Sequence, residues 1–235
     1  HANGDGAIDA FLRAHEAAAA GDLGKERNVT VIHSQFARKD QLDKYAAYKV
    51  RPSLYTLHTY YFAEAHIKNR GREQAMTISP MRDAIDKGLV PTNHTDFVVA
   101  PLDQLFMMWS AVNRVSRAGE VIGADQRVTP LEALKAQTIN VARQYGEQDA
   151  KGTLEVGKRA DMVVLDKNPL EVEPMQIRDV RVVQTFKDGN SVYLRSYPQG
   201  TLAAQIMGTV GQINQDQLKE QRFRGAAKDN VVGQS

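Results

Sequence analysis

Residues 28–33, NVTVIH, are a short β-branched run that ends on a histidine. β-Branched side chains favour extended backbone, so this run predicts a buried strand. The pattern recurs at 52–58, PSLYTLH, which also ends on a histidine, and at 89–92, a short run followed by His94 and Asp96. Helical patterns separate the three runs. Strands that alternate with helices indicate an α/β protein with a parallel sheet and helical crossovers.

The helices are predicted from apolar periodicity, caps and stop signals. Leu102, Leu105 and Trp109 recur at helical spacing. Residues 129–132, TPLE, have the form of a capping box with Pro at the first helical position. The stretch 1–7 is predicted to be a Gly-rich loop. The predicted helices cover 9–20, 40–48, 80–87, 101–118 and 129–145.

The pattern changes after the last of these helices. Residues 161–166 and 180–186 predict strands, and Asp188-Gly189 predicts a tight hairpin turn into a return strand at 191–194. This small antiparallel unit places a domain boundary near residue 150. We therefore divide the chain into an α/β part at 1–150, a β-sandwich portion at 151–197 and a polar C-terminal arm at 198–235.

The composition restricts the classes of function. The chain has 235 residues, of which 42% are hydrophobic and 25% charged, as in an ordinary globular protein. A net charge of +2 without a basic stripe argues against nucleic acid as the main partner. The absence of cysteine excludes disulfides, thiolate metal sites and a cysteine nucleophile. No apolar run approaches the roughly 20 residues of a membrane span, so we expect a soluble protein of the cytoplasm or periplasm.

Residues with metal-binding side chains follow the predicted strands. Functional groups of parallel α/β sheets collect beyond the carboxyl ends of the strands, where the pattern places His33, His58, His94 and Asp96. By the same logic, His1 would lie just beyond the carboxyl end of a strand whose residues come before it in the sequence. Imidazole and carboxylate are ligands of zinc, and a carboxylate can also accept the proton of a metal-bound water. The spacing therefore predicts a metal hydrolase site. His15 and His66 fall within helical or irregular segments and are expected to be structural or surface residues.

The sequence resembles the C-terminal part of the amidohydrolase superfamily, more narrowly the YtcJ-like or amidohydrolase-3 branch that includes N-substituted formamide deformylases. The resemblance covers roughly residues 1–195. The motifs that carry it are HANGDGAID at 1–9, VIHSQ at 31–35, PSLYTLHTYYFAEAH at 52–66, TISPMRDAIDKG at 77–88, HTD at 94–96, NRVSRAGEVIGADQRV at 113–128, ALKAQTINVARQYG at 133–146 and KGTLEVGKRADMVVLDKNP at 151–169.

The resemblance implies a fold and a set of ligands. The fold is a (β/α)8 TIM barrel with an attached β-sandwich, of which this chain would supply the C-terminal half barrel and part of the sandwich. His1 and His33 are similar to the histidine ligands after the fifth and sixth strands. Asp96 is similar to the Asp after the eighth strand, which is both ligand and general base. His58 and His94 match positions that contact substrate or support the site.

Other parts of the family pattern have no counterpart in this sequence. It contains neither the HxH that follows the first strand nor a fourth-strand segment. A whole barrel needs about 250 residues and half of one about 125, and a half barrel exposes the edges of its sheet. We therefore expect pairing with the missing N-terminal half, in the same chain or a separate one, and a homo-oligomer.

The resemblance implies a hydrolase of non-peptide C–N bonds in an amide, formamide or cyclic amide. One or two divalent ions, with zinc expected, would supply a hydroxide that attacks the carbonyl, while Asp96 moves the proton to the leaving nitrogen. Two alternatives stay open: a non-catalytic barrel subunit or binding scaffold, and a metal-dependent isomerase or lyase. Arg114, Arg117 and Arg127 are expected to be surface or helix-end charges, with contact to an anionic substrate group as the alternative.

Overall fold

The computed structural model describes residues 1–192 and the backbone of two further strands, at 209–212 and 231–234. The chain divides into two compact units. The first contains residues 1–159 and 166–181, and the second contains residues 160–165 and 182–235. None of the described helices is long and apolar enough to cross a membrane.

The described part is an α/β structure. Its helices are α1 (Asp5–Ala19), α2 (Lys39–Ala47), α3 (His58–Tyr61), α4 (Ala63–Arg70), α5 (Arg72–Met76), α6 (Met81–Asp86), α7 (Gln104–Asn113), α8 (Pro130–Gln137) and α9 (Ile139–Gln144), with 3-10 turns at Ala124–Gln126 and Pro174–Asp179. Its strands are β1 (Thr30–His33), β2 (Arg51–Leu54), β3 (Thr92–Asn93), β4 (Met162–Leu165), β5 (Val182–Lys187), β6 (Asn190–Val192), β7 (Thr209–Gln212) and β8 (Val231–Gln234).

A parallel sheet organises the first unit, as the alternating pattern predicts. Its strands lie in the order β1, β2, β3, with Ile32 opposite Ser53 and Ser53 opposite Thr92. Ala2 forms a further parallel bridge to His33, and its N–H donates to the carbonyl of Ile32 at 3.0 Å. The carboxyl ends of these strands therefore lie side by side at one edge of the sheet.

Helices bury the strands in two main apolar clusters. In one, Ile8 and Leu12 of α1 pack with Val31 of β1, because a spacing of four places both on one helical face. In the other, Trp109 of α7 packs with Leu54 of β2. All five side chains are at most 3% exposed, so the sheet that carries the histidines is held by a close-packed core.

Antiparallel pairing characterises the second unit. Strands β4, β5 and β6 form one sheet in that order, and β7 pairs with β8. The predicted hairpin is present at Asp188-Gly189, whose φ angles of 50° and 79° suit a tight turn between β5 and β6. Residues 193 and 194 of the predicted return strand lie outside the described residues, as does the arm at 198–235 apart from the backbone of β7 and β8.

Five predicted elements differ in extent from the observed ones. Strand β2 ends at Leu54, although the run that predicts it continues to His58, so His58 begins α3 instead of following the strand directly. Strand β3 covers only Thr92–Asn93, where 89–92 is predicted. Residues 1–7 are not all loop, because α1 begins at Asp5, whose carboxylate favours a helix N-terminus. Where the sequence predicts a helix at 101–118, the observed helix α7 covers only Gln104–Asn113. The helix predicted at 129–145 breaks at Thr138, which has φ −123° and ψ −96° and separates α8 from α9.

Candidate metal centre

His33 lies at the centre of a row of histidines. It is the last residue of β1 and is 5% exposed. Its Nε2 atom lies 3.0 Å from Nδ1 of His1, and its Nδ1 atom lies 3.2 Å from Nε2 of His94. These contacts follow from the sheet, because His1 precedes the bridge residue Ala2 and His94 follows β3. Both nitrogens of the His33 ring therefore face another imidazole.

His94 and Asp96 complete a group of potential metal ligands. One ligand atom each from His33, His94 and Asp96 lie within 4.8 Å of one another. Among the described residues, this is the group of His and acidic side chains that could hold an ion. The hydroxyl of Ser53 on β2 lies 3.1 Å from Nδ1 of His94, which leaves Nε2 as the nitrogen directed at His33. A ring held through one nitrogen in this way is oriented to bind a metal through the other.

His58 is buried beside this group at the start of α3. The His58 and His33 ring centroids are 5.8 Å apart. The Nδ1 atom of His58 lies 3.2 Å from the hydroxyl of Ser79, which itself donates to the carbonyl of Tyr55 at 2.9 Å. This contact fixes the ring orientation of His58 toward the row of histidines.

The backbone at these ligands is unusual. His33, Ser34 and Asp96 have positive φ angles of 75°, 45° and 53°. Non-glycine residues seldom adopt this conformation, and such strained positions concentrate at functional sites. The turn after β1 and the turn after β3 therefore hold their side chains at some cost in conformational energy.

Burial keeps the histidine rings neutral. It lowers the pKa of His58 to about 2 and that of His94 to about 4, with the nearby His33 adding to both shifts. Burial also lowers the pKa of His33, against the opposing effect of the Asp96 carboxylate. Neutral imidazole is the form that binds metals, so the rings are ready as ligands at pH 7 without losing a proton.

The donor set and its spacing suit a divalent cation. Two nitrogens bound to one zinc at about 2.0–2.1 Å in tetrahedral geometry lie roughly 3.3 Å apart. The observed separation of 3.2 Å between Nδ1 of His33 and Nε2 of His94 is close to this value. With the Asp96 carboxylate, two imidazoles and one carboxylate surround a space in which an ion could bind.

The structure brings some of the predicted site residues together and leaves others outside the group of ligands. His33 and Asp96 lie in the group of ligands. His94 lies in it with them, although the family resemblance assigned it to substrate contact or support of the site. His1 contacts His33 but is not part of that group. His66, expected to be a structural or surface residue, contacts the buried Gln35, with its Nε2 atom 2.6 Å from Nε2 of that side chain.

The sequence did not single out three polar residues around the histidines. Ser53 contacts His94, Ser79 contacts His58, and the ring of Tyr55 contacts His33, His58 and His94. Ser53 and Tyr55 belong to the same run that ends at His58, so their proximity in the sequence was the available signal. Ser79 comes from a distant segment, and no local pattern marks it.

Known proteins share this architecture. The amidohydrolase family model Amidohydro_3 matches residues 1–193. A second model, the penicillin-binding protein dimerisation domain, matches residues 185–235, most of which the structure does not describe.

Similar proteins agree with the first match. An N-substituted formamide deformylase of Arthrobacter pascens is 29% identical over 205 residues, which cover 83% of this chain and 36% of that protein. A putative amidohydrolase YtcJ of Bacillus subtilis is 25% identical, with coverage of 83% and 37%.

A solved structure of an uncharacterized metal-dependent hydrolase from Pyrococcus horikoshii superposes with a TM-score of 0.62 at 27% identity, over 74% of this chain and 34% of that one. This chain thus spans about a third of the length of the proteins it matches. Because the family model covers most of the chain, from the row of histidines to β6, this chain belongs to the amidohydrolase family.

Proposed function

We propose that the protein is a metal-dependent hydrolase of C–N bonds other than peptide bonds, acting on an amide, a formamide or a cyclic amide. The observation that carries the proposal is the convergence of His33, His94 and Asp96 within 4.8 Å beyond one parallel sheet. The deformylase and hydrolase relatives support this reaction class.

The described residues suggest a division of roles. His33, His94 and Asp96 would hold the cation, with zinc as the proposed ion. His1 faces the other nitrogen of His33 and is proposed as a further ligand because of the family resemblance. A bound divalent cation lowers the pKa of water and polarises a carbonyl. His58 lies beside the group and is proposed to contact substrate.

Asp96 is the proposed proton carrier. An amide nitrogen leaves poorly unless it is protonated, so a base must take the proton of the attacking water and pass it on. The Asp96 carboxylate lies among the ligand atoms and is partly exposed, so it can reach both the water and the substrate.

We further propose that residues 1–150 are the C-terminal half of a (β/α)8 barrel, with residues 151–197 forming part of a β-sandwich. In this reading the remaining ligands come from the N-terminal half of the barrel, and the complete protein is a homo-oligomer. Co-purification with a polypeptide that carries an HxH segment, or its presence in the same chain, would support this; full activity of the present chain alone would contradict it.

The first test is metal content together with turnover. The intact protein should bind a divalent cation and release formate from N-substituted formamides, or amine from other amides. His33→Ala should lose the metal, whereas His15→Ala should retain it, because His15 stacks on Phe11 of α1 and on Tyr48, which follows α2. Wild-type protein without metal, or metal without hydrolysis of any amide, would contradict the proposal.

The second test concerns the proton carrier. Asp96→Asn keeps the size and shape of the side chain but removes the base, so turnover should fall at least about 10²-fold in folded protein. Asp149→Asn is the matched control, since Asp149 is exposed on the same unit. Near-wild-type turnover of Asp96→Asn would make Asp96 a structural residue.

A further inference from the structure

The hydroxyl of Tyr55 is a buried polar group without a partner. Tyr55 is 1% exposed, and its hydroxyl accepts or donates no hydrogen bond among the described residues. Three other buried side-chain atoms of the described residues share this property, in His15, Trp109 and Gln137. Of the four residues, Tyr55 is the one whose ring contacts the row of histidines at the candidate metal centre.

Contacts with neighbouring residues hold the Tyr55 ring in place. It lies edge-on to His58, with centroids 4.5 Å apart, and stacks on His94 at 5.6 Å. Its backbone carbonyl accepts hydrogen bonds from the hydroxyl of Ser79 at 2.9 Å and from the N–H of His58 at 3.1 Å. The ring therefore has little freedom to turn its hydroxyl toward bulk water.

The other side of the ring is apolar. Tyr55 packs in a cluster with Leu57, Ala100 and Met107, none of which offers a side-chain hydrogen-bond acceptor of ordinary strength. By contrast, the neighbouring hydroxyls of Ser53 and Ser79 have partners at 3.1 and 2.9 Å. Leaving a buried hydroxyl unpaired is unfavourable, so a group that supplies an acceptor at this place would be bound more tightly.

The Tyr55 hydroxyl is available as a hydrogen-bond donor. Burial raises the pKa of Tyr55, and the nearby Tyr61 and the Asp96 carboxylate contribute to the rise. The hydroxyl thus stays protonated at pH 7 and acts as a hydrogen-bond donor within electrostatic range of the proposed proton carrier. A protonated hydroxyl whose ring packs against His58 and His94 is suited as a donor to the oxygen of the group under attack.

We propose that Tyr55 donates a hydrogen bond to the carbonyl oxygen of the bound substrate and stabilises the negative charge that develops on it. This inference rests on the proposed amide hydrolysis. The charge appears when water adds to the carbonyl carbon and the C=O electron pair moves onto oxygen. The proton of that water passes to the base and then to the leaving nitrogen, so Tyr55 itself neither gains nor loses a proton.

The test compares Tyr55→Phe with Tyr48→Phe in the intact, metal-loaded protein. Tyr55→Phe keeps the ring and removes only the unpaired hydroxyl. Tyr48→Phe removes a hydroxyl that donates to Glu16 Oε1 at 2.7 Å, between α1 and α2. The measurements are kcat and KM for release of formate from N-substituted formamides, metal content, and the midpoint of thermal unfolding.

The two variants should behave in opposite ways. Removal of one donor to a developing oxyanion typically costs about 10²–10³ in kcat, so Tyr55→Phe should lose about 10²-fold in kcat with nearly unchanged KM. Its metal content should equal that of the wild type, and its unfolding midpoint should be unchanged or higher. Tyr48→Phe should keep wild-type kcat and unfold at a lower temperature. Wild-type kcat for Tyr55→Phe, with or without a lower unfolding midpoint, would overturn the inference.

Formate binding supplies a readout that does not need turnover. Its carboxylate presents the oxygen acceptor that the hydroxyl lacks, so calorimetry should show binding to the wild type that is about 10-fold weaker in Tyr55→Phe. Equal affinity in both, or no binding to the wild type, would overturn the inference. Weaker binding by Tyr55→Phe in a protein that hydrolyses no amide would instead support the role of Tyr55 and contradict the proposed function.

Discussion

Arg114 is a charged residue with none of its surface exposed. Its guanidinium donates to three backbone carbonyls, those of Ile78 at 2.6 Å, Ser79 at 3.1 Å and Ile122 at 2.6 Å. Burial lowers the pKa of Arg114 to about 9, which still leaves it charged at pH 7. The expected surface role is therefore wrong for this arginine, which does lie at the C-terminal end of α7 but directs its guanidinium to carbonyls of other segments. It holds the segment that carries Ser79, and the Ser79 hydroxyl in turn orients the His58 ring.

Arg114→Met should strongly destabilise the fold. The substitution leaves buried carbonyls without their donor, and each such loss costs about 1–3 kcal/mol, so the free energy of unfolding should fall by about 3 kcal/mol. Arg117→Met is the control, because Arg117 is exposed on the same segment and should change stability by less than about 0.5 kcal/mol. Denaturant titration of both variants measures the difference, and equal losses would contradict this account.

At the scale of the element, helix ends explain most differences between the predicted and observed helices. The side chain of Asp103 accepts the N–H of Phe106 at 2.9 Å, so α7 begins after Asp103 and not at Pro101. It ends at Asn113 because Arg114 adopts a left-handed conformation with φ 54°. The Asp103 cap at one end and the buried Arg114 at the other thus make α7 shorter than its apolar periodicity predicts.

The start of α8 agrees with the prediction and can be tested directly. The hydroxyl of Thr129 accepts the N–H of Glu132 at 3.3 Å, and the Glu132 carboxylate accepts the N–H of Thr129 at 2.8 Å. Thr129→Ala should lower the free energy of unfolding by about 1 kcal/mol, because it removes one half of this capping box. Thr129→Ser retains the hydroxyl and should be close to wild type. A denaturation midpoint that is the same for Ala and Ser would show that the cap contributes nothing.

At the scale of the whole molecule, the site couples metal binding to stability. A cation that binds the folded state alone adds RT ln(1 + [L]/Kd), about 2.7 kcal/mol at a concentration 100 times Kd. Treatment of the intact protein with a chelator should therefore lower the thermal unfolding midpoint, and zinc should restore it. His33→Ala should show the low midpoint with or without zinc. A wild-type midpoint that does not respond to metal would contradict a cation site at His33, His94 and Asp96.

Local patterns were sufficient for the parallel sheet, the capping box and the hairpin. The β-branched run before His33 and the Asp188-Gly189 turn depend on backbone preferences that neighbouring residues set, and each appears where the sequence predicts it. The family resemblance is confirmed over residues 1–193. The candidate ligands were also visible, because strand ends in a parallel sheet share one edge whatever the surrounding loops do.

The sequence by itself determined an α/β chain with histidines and Asp96 beyond successive strands. Tertiary structure alone decided which of them meet: His94 joins His33 and Asp96, while His1 lies on the other nitrogen of His33. It also decided that Arg114 is buried and that the Tyr55 hydroxyl has no partner among the described residues. The physical reason is that strand order and pleat specify the edge where a side chain lies, whereas contacts of a few ångströms depend on packing between segments far apart in the chain.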